Sequence, residues 1–181
     1  MTDPRRVLVA GVGNVFLGDD GFGVEVLRRM EGRPYPVGVD VVDFGIRGFD
    51  LAYALLEDYA AAILVDAVPR RGEPGTLYTM EIERRHWQAA SDGESAPLEG
   101  HSMDPGRVLR LVQRLGGEPP RLFLVACEPL SLDPDGTGVM GLTEPVAASI
   151  AGAVDMVESL LREILSGTGV AERVPSMAHE A

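Results

Sequence analysis

The run RVLVAGVGNVFLGDDGFGVEVLRRM, residues 6–30, decides the fold. Its opening RVLVAGVG is apolar without polar alternation, as expected of a central parallel strand covered on both faces. From Asp19 the period changes, and Val24, Val26, Leu27 and Met30 form one stripe of a helix. A glycine-rich turn joins the two. After a strand such a turn usually cradles phosphate, yet this one carries Asp19 and Asp20, where an anion is least welcome.

Moving outward, VGVDVVDFG (37–45) is a second strand, GFDLAYALLEDY (48–59) a helix carrying Leu51, Leu55 and Leu56, and AAAILVDAV (60–68) a third strand. This βαβαβ pattern, with continuous apolar strands, predicts an α/β fold. After Pro69, TLYTMEI (76–82) reads as an antiparallel edge strand, and residues 84–100 as a long polar loop. DPGRVLRLVQRLGG (104–117) restores a helix with Val108, Leu109, Val112 and Leu115 on one side, and RLFLVACEP (121–129) is a last buried strand. Thr143 as N-cap and Pro145 in the first turn open a final helix. Its stripe is Val146, Ile150, Val154, Val157, Leu161 and Ile164. The expectation is one α/β domain over residues 1–166: a twisted, mostly parallel sheet of about five strands between helices. Residues 167–181 are expected to form a disordered tail.

A chain of 181 residues is long enough to bury one sizeable core. A net charge of −12, with no basic patch, excludes the phosphate-backbone binder, whose affinity comes from clustered cations. A single cysteine excludes an intrachain disulfide or a multi-cysteine zinc site. Cys127, inside RLFLVAC, reads as a buried structural thiol. No apolar segment approaches the roughly 20 residues needed to cross a bilayer, and MTDPRR does not open a signal peptide. A cytoplasmic monomer, bound to neither membrane nor nucleic acid, is expected.

What the turn holds follows from its residues. A dinucleotide fingerprint needs a third glycine, but Gly11 and Gly13 are followed by Phe16, and the helix starts too late to meet a pyrophosphate. The lysine of a P-loop is missing. One of the two acids is accounted for as an N-cap favoured by the helix dipole, which leaves the other to face outward. In a sheet of order 2-1-3, a crevice opens at the carboxyl ends of strands 1 and 3. Asp20 leaves strand 1 and Asp66 ends strand 3, so both carboxylates converge there. His101, just ahead of the third helix, is the third candidate; His86 and His179 are weaker. Asp20, Asp66 and His101 make a sparse oxygen, oxygen, nitrogen set for a borderline divalent metal. The chain has no serine in a nucleophile elbow and no paired Asp-Thr-Gly or Asp-Ser-Gly loops.

The segments GVGNVFLGDDGFG (11–23), DFGIRGFDLAYALLEDYAAAILVDAV (43–68), HSMDPGRVL (101–109) and CEPLSLDP with LTEPV (127–134, 142–146) resemble the nickel–iron hydrogenase maturation proteases. The similarity runs in order from about residue 6 to residue 165. It implies an endopeptidase, grouped with aspartic-type peptidases, that removes the C-terminal extension of a hydrogenase large-subunit precursor after nickel insertion. The nickel comes with the precursor, on its own cysteine ligands, and no organic cofactor is implied. The family's metal-contacting positions fall on Asp20, Asp66 and His101. Two departures stand out: the family often has Glu where Asp20 stands, and DFGIRG replaces a Gly-Gly-Thr-like turn, leaving the role of Asp43 open. Glu128 matches a family Glu-Pro pair and is read as structural. A non-cleaving, nickel-checking chaperone and a nucleotide-binding oxidoreductase are the alternatives.

Overall fold

A computed structural model describes residues 6–83, 105–133, 135 and 137–167. The loop at 84–100, all three histidines and the expected tail beyond Gly167 lie outside the described residues. The strands are β1 (Val7–Val12), β2 (Val39–Gly45), β3 (Ala61–Ala67), β4 (Leu77–Ile82) and β5 (Arg121–Cys127). The helices are α1 (Phe22–Met30), α2 (Gly48–Ala54), α3 (Pro105–Arg114) and α4 (Glu144–Ser166), with a 3-10 turn at Gly18–Gly21. The sheet order is β2-β1-β3-β5-β4. The β1–β2, β1–β3 and β3–β5 pairs are parallel, and β4 closes the edge antiparallel to β5, as its sequence predicted.

Strand alternation divides the core into two layers. Val7, Val9, Ile63, Val65, Phe123 and Val125 pack with α1 and α4. Leu8, Ala10, Val12, Ala62, Leu64, Leu122 and Leu124 pack with α2 and α3. Burial on both faces is why β1, β3 and β5 read as unbroken apolar runs. The expected stripe of α1 is buried, as is that of α4 apart from the half-buried Ile150. Leu115 departs from expectation. It is 44% exposed, because α3 ends at Arg114 and Gly116, at φ +82, turns the chain away.

Two helix starts also differ from the sequence reading. α1 begins at Phe22 rather than near Asp19, and neither it nor the 3-10 turn has a side-chain cap. Thr143 does occupy the N-cap of α4, but its hydroxyl donates to Asp19 rather than capping its own helix. Gly167, in the left-handed region, ends α4. No helix among the described residues is long and apolar enough to cross a membrane.

Candidate functional site

The turn after β1 is closed by its own backbone. At φ +130, Gly13 lies so near the Asp20 carbonyl that a Cβ would stand 1.7 Å from that oxygen. At Gly23 a Cβ would come within 2.1 Å of the Val65 carbonyl oxygen and 2.3 Å of that of Val12. The glycines therefore let the first turn of α1 wedge between the carboxyl ends of β1 and β3. They serve close packing of the chain on itself, not the approach of a phosphate. The 3-10 turn that bears Asp20 also packs against β3.

β1 and β3 are neighbours whose crossover helices lie on opposite faces, which makes their border the switch point of the sheet. Asp20 is 7% exposed, and its Oδ2 accepts the Asn14 amide at 2.8 Å. Burial pushes its carboxyl above the ordinary aspartate range, against the opposing pull of the Asn14 hydrogen bond. Asp66 is 6% exposed, and its Oδ1 accepts the Ala67 amide at 2.8 Å. By alternation Asp66 continues the stripe of Ala62 and Leu64, on the face covered by α2 and α3. Beyond the end of α3, Gly117 packs on Leu56, where α2 hands over to β3. α3 thus ends at the amino edge of the sheet and starts, about 15 Å away, toward the carboxyl edge. His101, four residues before α3, lies outside the described residues. Asp20 and Asp66 thus each lie at the carboxyl edge of β1 and β3, and among the described residues no group of three histidine, cysteine or carboxylate side chains is placed to hold a metal ion.

Asp19 does different work. It is fully buried; Oδ1 accepts the Thr143 amide at 2.7 Å, and Oδ2 accepts Leu130 N at 2.8 Å, Ser131 N at 3.0 Å and the Thr143 hydroxyl at 2.9 Å. Glu128, read as structural, is buried at the end of β5. Its carboxylate accepts the amides of Arg70 and Arg71 and the Tyr78 hydroxyl, fixing the segment that leaves Asp66. Asp43 is exposed at the end of β2, beside a bulge at which Phe44 turns inward. Cys127 is fully buried, and burial pushes its thiol up, which disfavours the reactive thiolate. Sequence reasoning missed Asp133, whose carboxylate accepts from Thr137, Gly138 and Val139; its only signal was the turn-like spacing of DPDGTG.

The family model described as hydrogenase maturation protease matches residues 24–160. The hydrogenase expression/formation protein HupD of Rhodobacter capsulatus is 33% identical over 186 residues, an alignment covering 98% of this chain and 84% of HupD. The hydrogenase 2 maturation protease of Escherichia coli is 34% identical, over 87% of this chain and 92% of its own. Among solved structures, the hydrogenase-maturating endopeptidase HybD from E. coli superposes with a TM-score of 0.70 at 31% identity, over 88% of this chain and 93% of that one.

Proposed function

The chain belongs to the hydrogenase maturation protease family, and from that premise we propose that it is the endopeptidase that removes the C-terminal extension of a nickel–iron hydrogenase large-subunit precursor once nickel is in place. The observation that supports this reading is the pair of buried carboxylates, Asp20 and Asp66, at the β1/β3 switch point.

In this reading Asp20, Asp66 and His101 contact the nickel that the precursor holds on its own cysteines. Two carboxylates and an imidazole suit a borderline divalent ion but leave positions open. The site is therefore complete only with the substrate's thiolates, and contact with it reports that nickel insertion has occurred. One carboxylate of the pair takes the proton of the attacking water. The Asn14 and Ala67 amides hold the two side chains in place for that step.

The test is cleavage of nickel-loaded and nickel-free precursor, followed by mass spectrometry for loss of the C-terminal peptide. The native chain trims only the loaded form, and Asp66→Asn and His101→Ala fold normally but do not trim. Normal trimming by both variants overturns the site, and binding without peptide loss makes the protein a chaperone instead.

A further inference from the structure

Four large apolar side chains stand in water beside the Asp20 turn: Phe16 at 58% exposure, Leu130 at 59%, Val139 at 54% and Met140 at 69%. Backbone links bring their three segments together. Gly18 N donates to the Val139 carbonyl at 2.7 Å, and Asp19 N donates to that of Ser131 at 3.1 Å. Asp19 takes the amides of Leu130, Ser131 and Thr143, while Phe16 lies two residues from Gly18.

The described residues of the β5–α4 connection are therefore tied to the turn that bears Asp20. Asp133, at φ +47, accepts Thr137 N and Oγ1, Gly138 N and Val139 N. With Asp19, two buried carboxylates hold the segment and leave its apolar side chains pointing at solvent. Thr137–Leu142, TGVMGL, has no charge in a chain of net charge −12. An exposed apolar patch on a preordered support marks a contact surface, because little entropy is lost when it is covered.

We propose that Phe16, Leu130, Val139 and Met140 form the dock for the body of the protein substrate, meeting an uncharged apolar patch of the precursor beside its scissile bond. This rests on the reading of Asp20 and Asp66 as the cleavage site. The occupant follows from continuity. Phe16 is four residues from Asp20 and Val139 is paired to Gly18, so a polypeptide presenting a peptide bond to Asp20 also crosses these side chains. A second copy of this chain seated there would cover the crevice and shut out substrate. The carboxylate of Asp19 ties the dock to the turn that bears Asp20, so the two are placed as one unit.

The test uses Val139→Ser/Met140→Ser and, as a control at the far edge of the sheet, Val37→Ser, whose parent side chain is 87% exposed. KM and kcat for full-length nickel-loaded precursor are read separately, and precursor binding is measured by calorimetry in an Asp66→Asn background. The double variant raises KM and weakens binding by about tenfold or more, with a much smaller change in kcat, and Val37→Ser moves neither. Unchanged KM and binding in a folded double variant overturns the dock. So does a wild-type dimer in sedimentation that the double variant abolishes. The calorimetric arm needs no turnover, so a failure of the cleavage site and a failure of the dock give different results.

Discussion

The adjacent carboxylates of Asp19 and Asp20 divide the hydrogen bonds of one 3-10 turn unequally. Asp19 accepts four, all from residues 130–143, whereas Asp20 accepts one, from the Asn14 amide. Both are buried. A buried carboxylate with four donors is compensated for the water it lost; one with a single donor is not. The first is a latch between segments far apart in the chain, and the second is left with one donor at the carboxyl edge of β1 and β3. Opposite responses to mutation follow.

Asp20→Asn stabilises the substrate-free protein at neutral pH while abolishing trimming by about 100-fold or more. Burial raises the folded-state pKa of Asp20, so stability from the protonated form is fully present below the ordinary aspartate value and lost as pH rises through the raised one. At pH 7 the ionised group opposes folding, and the neutral amide removes that opposition. Thermal midpoints of the two proteins, separated at pH 7 and converging toward pH 4, check the sign. A less stable Asn variant at pH 7 would contradict it.

Asp19→Asn destabilises by roughly 3 kcal/mol. Its new NH2 group must face a backbone N–H or the Thr143 hydroxyl where an oxygen now accepts. Urea unfolding at neutral pH measures the loss. A change under about 0.5 kcal/mol would mean the latch is dispensable.

Gly13→Ala costs about 2 kcal/mol or more, since the new methyl meets the Asp20 carbonyl at a backbone angle that L-residues rarely adopt. The turn must shift, so trimming falls with stability. Retained activity in a destabilised variant would show that the Asp20 position tolerates this movement.

Asp40→Asn tests a charge cluster away from the crevice. Asp40 Oδ2 accepts the Tyr59 hydroxyl at 2.7 Å and the Arg6 guanidinium at 3.0 Å, and these hold its carboxyl below the usual range. Burial, then Asp40, pushes the Tyr59 phenol up to about 12. A depressed carboxyl stabilises above its unfolded value, and the contribution disappears as pH falls through the folded one. Asp40 and Arg6 are both partly exposed, so the loss at pH 7 is below about 1 kcal/mol and shrinks in acid. Denaturation midpoints at pH 7 and pH 3 check it.

The strands and helices were legible because burial on two faces leaves a local signature. β1, β3 and β5 are apolar runs broken only by Asp66 near the end of β3 and Arg121 at the start of β5, and α1 and α4 carry stripes at helical spacing. The order β2-β1-β3 expected of a doubly wound sheet is the one observed, and it makes the strands that lead to Asp20 and Asp66 neighbours. Cys127 and Glu128 were read as structural, and the structure shows what each touches.

The division of labour between Asp19 and Asp20 was beyond the sequence. Both are carboxylates on a glycine-rich turn, and local rules offered one of them as a helix cap, a role neither fills. The donors that claim Asp19 lie 111 to 124 residues away, and no short-range pattern encodes a hydrogen bond across that distance. The docked β5–α4 connection is of the same kind, because its anchors are backbone amides, which every residue possesses. Local periodicity thus determined the layers and the sheet edge that carries both acids, whereas packing between remote segments decided which acid became a latch and which was left with a single donor.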